Sequence, residues 1–137
     1  MIVADTGAVI ALIDADDRHH ETIIRLYDED PTSWVLPWAI LPEVDYLLSR
    51  HVGASAGEAF LSDLAAGAFA IEWGQEDDLI RARELCERYQ ALRLGLVDAV
   101  VAAVAERLRA SAIATLDARD FGTIELRGSP RLIPRDR

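Results

Sequence analysis

Apolar residues along the chain fall into two patterns, short continuous runs and longer stretches at helical spacing. Ile2-Val3-Ala4 is a short apolar run closed by Asp5, the pattern of a strand buried on both faces of a parallel sheet. Thr6 to Ile13 then has helical character and ends in the polar stretch Asp14-Ala15-Asp16-Asp17. His20 to Tyr27 predicts a second helix, with Ile23, Ile24 and Tyr27 on one face, and Trp34-Val35-Leu36 a second strand stopped by Pro37. From Ala39 to His51, Ile40, Val44, Leu47 and Leu48 recur at helical spacing. Pro42 sits in the first turn of that helix, where its missing N–H is harmless.

Ser55-Ala56-Gly57-Glu58 reads as a capping box, opening a helix that carries Phe60, Leu61 and Leu64 and ends at Gly67. Phe69-Ala70-Ile71 predicts a third strand. Glu76 to Tyr89 predicts a helix with Leu79, Ala82, Leu85, Cys86 and Tyr89 inward, so Cys86 is read as a core thiol. Leu96 to Arg109 predicts a strongly apolar helix, Ala112-Ile113-Ala114 a fourth strand and Leu132-Ile133 a fifth. Strands alternating with helices predict an α/β fold whose central parallel sheet of four to five strands is covered on both faces.

Neither a repeat nor a linker interrupts the 137 residues, which are expected to form one domain over 1–137. The longest apolar run, Ala99 to Ala105, is far short of the ~20 residues that span a bilayer. The first residues lack the basic region of a secretory signal, and one cysteine permits neither an internal disulfide nor a cysteine zinc site. A cytoplasmic protein with no membrane association is the expectation.

Charge narrows the chemistry. All fourteen basic residues are arginine, which excludes Schiff-base lysines, the phosphate lysine of P-loops and the lysine of phospho-receiver domains. The net charge of −10 argues against a domain that holds nucleic acid mainly by neutralising phosphate. That charge is uneven: residues 1–80 hold three arginines against sixteen acids, whereas residues 81–137 hold eleven against eight. The first part suits a basic partner and the second an anion.

Four acids occupy telling positions. Asp5 ends the first strand and Asp117 follows the fourth, and ligands of open parallel sheets bind outside the carboxyl ends of strands. Either aspartate alone is equally a helix cap. Glu43 lies three residues after Ile40 and four before Leu47, on the face those apolar residues use, where a carboxylate is costly unless paired or coordinated. Asp98 is flanked by Leu96, Val97, Ala99, Val100 and Val101; it is either the cap of that helix or an acid held at the helix N-terminus. Acids converging on one cleft call for a divalent cation, and an all-oxygen donor set selects Mg²⁺ or Mn²⁺ over zinc. Such a site suits phosphodiester hydrolysis.

The blocks Ile2-Val3-Ala4-Asp5-Thr6-Gly7, Leu41-Pro42-Glu43-Val44, Gly95-Leu96-Val97-Asp98-Ala99 and Ala114-Thr115-Leu116-Asp117-Ala118-Arg119-Asp120-Phe121 occur in order along essentially the whole chain. In this the sequence resembles the PIN-domain ribonucleases, specifically the VapC toxins of bacterial toxin–antitoxin pairs. The resemblance implies a Rossmann-like three-layer α/β/α sandwich and a Mg²⁺- or Mn²⁺-dependent endoribonuclease. It places Asp5, Glu43 and Asp98 on the family's metal-binding acids and Asp117 on its more variable fourth, with Asp120 a second candidate there. Thr6 and Thr115 fall on hydroxyl residues that support the carboxylates. It also implies a VapB-type antitoxin, whose C-terminal segment wraps the toxin, and a homodimer. In-line attack of an activated water on RNA would leave a 5′-phosphate and a 3′-hydroxyl, with Asp98 and Glu43 positioning that water.

Rival readings fare worse. A haloacid-dehalogenase-type phosphatase needs a second aspartate where this chain has Gly7, and a receiver domain needs the missing lysine. A catalytically inactive protein that only binds an antitoxin-type repressor is the alternative from another class, and every motif acid is present. His19 and His20 have no third histidine at ligand spacing. Trp34, Trp38 and Trp73 are read as core aromatics, Trp38 being the one placed to meet RNA. Arg88, Arg93 and Arg119 lie near the motif blocks and are candidates for phosphate contact.

Overall fold

The computed structural model describes residues 1–137. In chain order its elements are β1 (Ile2–Ala4), α1 (Thr6–Ile13), α2 (His20–Glu29), β2 (Trp34–Pro37), α3 (Leu41–His51), α4 (Ala54–Ala65) and β3 (Ala70–Glu72). There follow α5 (Glu76–Arg88), α6 (Leu96–Arg107), β4 (Ala112–Ala114), α7 (Ala118–Thr123) and β5 (Arg131–Ile133). All four strand pairings are parallel and the sheet order is β3-β2-β1-β4-β5. Order reverses between β1 and β4, which makes the carboxyl ends of those two strands the topological switch point.

Right-handed crossovers put the helices that follow β1 and β2 on one face and those that follow β3 and β4 on the other. Packing agrees: α1 lies against α2 and α3, α3 against α4, and α5 against α6. The expected α/β/α sandwich is what forms, with all five strands present. Thirty-two buried apolar residues make one continuous cluster. At its centre is α6, whose residues Ala99 to Ala105 are all buried. A helix apolar on every side must be enclosed, and enclosing this one brings Asp98, its third residue, to the rim of the sheet.

Several local expectations change. β2 runs through Pro37, paired with Glu72 of the edge strand, and β3 starts at Ala70 rather than Phe69. Helix α4 opens on Gly53 at φ 144°, with no side-chain cap, so Ser55-Ala56-Gly57-Glu58 is no capping box. A reciprocal cap belongs instead to α5, where Asp78 Oδ2 accepts from the Gln75 amide at 2.9 Å. On α5 it is Asp78, not Leu79, that turns inward. The buried carboxylate is matched by Arg107, whose Nε donates to Asp78 Oδ1 at 2.7 Å while Nη2 reaches Glu72 at 2.7 Å. Arg81 likewise grips Glu106. Helix α6 stops at Arg107, and the short helix α7 had no periodic signal to announce it. Gly57 lets α3 and α4 approach closely, since a β-carbon there would lie 2.2 Å from Ser49 Oγ. No helix is long and apolar enough to cross a membrane.

Candidate active site

The site is built outward from the switch point. Ala4 and Ala114 are register partners in β1 and β4, so Asp5 and Thr115 leave the sheet side by side. Asp5 is 6% exposed. Its Oδ1 accepts from the Thr6 amide at 2.7 Å, which also caps α1, and its Oδ2 accepts from the Thr115 hydroxyl at 2.9 Å. Thr115 Oγ1 in turn accepts from the Asp117 amide at 3.0 Å. One threonine therefore fixes both the first acid and the loop that carries the fourth. Asp5 thus caps α1, and the same side chain lines the cleft at the switch point.

Asp5, Glu43, Asp98 and Asp117 all line a single cleft of about 660 Å³, together with Thr6, Gly7 and the apolar residues Leu47, Leu96, Val97 and Leu116. The four acids come from four different segments: the end of β1, the first turn of α3, the first turn of α6 and the loop after β4. Gly95, not Asp98, caps α6, so Asp98 is an acid in the first turn, where the helix dipole favours negative charge. Asp120, in the first turn of α7, joins from the side. Carboxylate oxygens of Asp98, Asp117 and Asp120 lie within 4.8 Å of one another.

Glu43 needs a correction. It is exposed, so its place on the apolar face costs nothing and burial is no argument for a role; it reaches the cleft because the first turn of α3 overhangs it. Trp38 does not line the cleft, and Trp73 is 72% exposed instead of core. None of the histidines lines it either, and His20 Nδ1 is engaged with the Ala11 carbonyl at 2.7 Å. Spacing gave no sign of the Thr115-to-Asp117 link, since it depends on how the loop turns after β4.

Electrostatics define what the cleft lacks. Burial pushes the Asp5 carboxyl above its ordinary range, the Thr115 and Thr6 hydrogen bonds pull it back, and Glu43 and Asp117 raise it again. Asp98 is pushed up to about 6, by desolvation first and then by Asp5, Asp117, Asp120 and Glu43. No arginine or histidine pairs with any of the five acids. Elsewhere the chain matches buried acids with arginine, as at Asp78 and Glu106. The Thr6 hydroxyl, lining the same cleft, is buried without a partner. Convergent carboxylates, an orphan hydroxyl and no cation fit a hard divalent ion held by oxygen alone.

The family model of the PIN domain matches residues 2–125. Ribonuclease VapC26 of Mycobacterium tuberculosis is 31% identical over 130 residues, which cover 95% of this chain and 96% of that protein. Among solved structures, VapC20 of Mycobacterium tuberculosis, a sarcin–ricin-loop-cleaving toxin, aligns with a TM-score of 0.80 at 24% identity over 89% of this chain and 94% of that one. VapBC2 from Rickettsia felis, bound to a promoter DNA fragment, aligns at 0.69 with 16% identity over 96% and 97%. At these identities the two structures bear on the fold alone.

Proposed function

The chain belongs to the PIN-domain family, and from that premise we propose that it is a Mg²⁺- or Mn²⁺-dependent endoribonuclease, the toxin of a VapBC pair. In this reading it acts in the cytoplasm as a homodimer and a VapB-type antitoxin inhibits it. The observation that carries the catalytic part is the cleft at the sheet's switch point, where Asp5, Glu43, Asp98 and Asp117 meet with no cationic side chain to balance them. Those four acids are the proposed metal-holding and catalytic residues, with Thr6, Thr115 and Asp120 supporting them.

Asp5, Glu43, Asp98 and Asp117 would hold a divalent ion there, which would supply Lewis-acid polarisation of the phosphodiester and lower the pKa of a bound water. The chain's own residues do the rest. Asp5 is the rigid anchor, because two hydrogen bonds leave its carboxylate one orientation. Asp98 and Glu43, which line the same cleft, are the residues proposed to position the attacking water. Asp117 and Asp120 stand beside Asp98, their carboxylate oxygens all within 4.8 Å of one another.

The antitoxin part rests on a second concavity. An apolar groove between α3, α4 and β3 is lined by Leu41, Leu61, Leu64, Ile71 and Trp73, with Asp45 in its wall. It lies in the acid-rich first eighty residues and suits a segment carrying apolar and basic side chains. The test is cleavage: new 5′-phosphate ends should be mapped in RNA from cells expressing the protein, and should vanish with Asp5→Ala and Asp98→Ala. Wild-type cleavage by those two variants contradicts the assignment.

A further inference from the structure

The acidic cleft has an apolar lip that the acids do not explain. Leu96, the first residue of α6, is 60% exposed although Ala99 to Ala105 of the same helix are buried. It lines the cleft beside the half-buried Leu47, Val97 and Leu116. Two arginines stand near this lip in the chain. Arg93 lies three residues before Leu96, and its amide donates to the Gln90 carbonyl at 3.1 Å with the backbone in the left-handed region at φ 51°. Arg119 lies between Asp117 and Asp120. Both are exposed and neither pairs with a carboxylate. Arg88 is otherwise engaged, 3.8 Å from Glu125 and 5.5 Å from the centre of the Tyr89 ring.

We propose that Leu96 seats the nucleobase next to the scissile phosphate and that Arg93 and Arg119 bind the phosphates on either side. This rests on the ribonuclease reading and adds the residues that hold the strand. A phosphate seated at the acid cluster, as the ribonuclease reading requires, brings its own sugar and base against the cleft wall, where Leu96 offers the apolar surface most open to solvent. A base face is apolar, and it reaches such a shelf only when no stacked neighbour covers it. The seated nucleotide is therefore unpaired. The acids by themselves repel RNA, so cations just outside them are needed to hold the flanking backbone. The apolar groove between α3, α4 and β3 is a separate concavity that shares no lining residue with the acid cleft.

The experiment uses a labelled oligoribonucleotide spanning the mapped cleavage site, cut by the full chain with Mg²⁺. Leu96→Ala should lower kcat/KM about tenfold, through KM, as expected for losing a few buried methyl and methylene groups. With an abasic nucleotide placed in turn on each side of the cleaved bond, wild type and Leu96→Ala should become equal at one of the two positions. Arg93→Ala/Arg119→Ala should reduce the slope of log(kcat/KM) against log[salt] by about 1.4, two phosphate contacts on a single strand, and Leu96→Ala should leave the slope alone. All three side chains are exposed, so the melting temperatures should match wild type. Unchanged KM in Leu96→Ala, an equal defect on every abasic RNA, or an unmoved salt slope overturns this inference while ribonuclease activity stands. A wild-type chain that cuts no RNA overturns the ribonuclease reading, and this inference with it.

Discussion

Thr115 joins two acids through one hydroxyl, donating to Asp5 and accepting from the Asp117 amide. Thr115→Val removes both bonds at nearly constant volume. Metal affinity should fall 10- to 100-fold, the usual cost of losing a group that orients a ligand, and Mn²⁺ titration calorimetry reads it directly. Asp98 sets the pH response. Its folded-state value of about 6 lies above the ordinary 3.8, so the metal-free fold binds that proton more tightly than the unfolded chain does. Its contribution to stability is full below pH 4 and lost as pH rises through 6; Asp5, also raised, adds in the same direction. Asp98→Asn should therefore raise the metal-free melting temperature at pH 7, abolish cleavage, and leave little change at pH 4. A variant that melts lower than wild type at pH 7 would show that Asp98 is not under repulsion.

At the scale of elements, what holds α6 also holds the site. Arg107 on α6 clasps Glu72 at the end of β3 and Asp78 on α5, and Asp78 is 2% exposed. Arg107→Ala leaves that carboxylate buried without a partner and should cost about 3–5 kcal/mol in urea unfolding. Cleavage per folded molecule should survive, because the network lies at the opposite end of α6 from Asp98. Gly57→Ala needs only the exposed Ser49 hydroxyl to rotate away, its β-carbon lying 3.5 Å off, and with the better helix propensity of alanine urea unfolding should show a change of less than about 1 kcal/mol. The sequence pattern located these helices well where one face is apolar, as in α3, or where the whole helix is, as in α6. It misjudged α5, where a charge pair replaces an apolar contact and a leucine is left outside, and it missed α7, whose six residues are too few to show a period.

For the whole molecule, the acids that carry the proposed chemistry were legible in the chain because parallel strands have to end somewhere. Asp5 and Asp117 follow apolar runs, and their neighbours in space follow from strand order. Less legible were the Thr115 relay, the exposure of Glu43 and the apolar lip at Leu96, which depend on loop turns and on packing between elements far apart in sequence. The net charge of −10 looked adverse to RNA. The fold divides it: a group of acids lines the cleft without cationic partners, others are matched by arginine inside, and the exposed Arg93 and Arg119, paired with no carboxylate, stand near the cleft acids in sequence. The most direct test of this division is the rate at which the purified chain cuts its mapped RNA in EDTA and again after excess Mg²⁺ is added back. A cleft that works only with a divalent ion gives no cleavage in EDTA and full recovery with Mg²⁺. Cleavage that continues undiminished in EDTA would contradict that dependence.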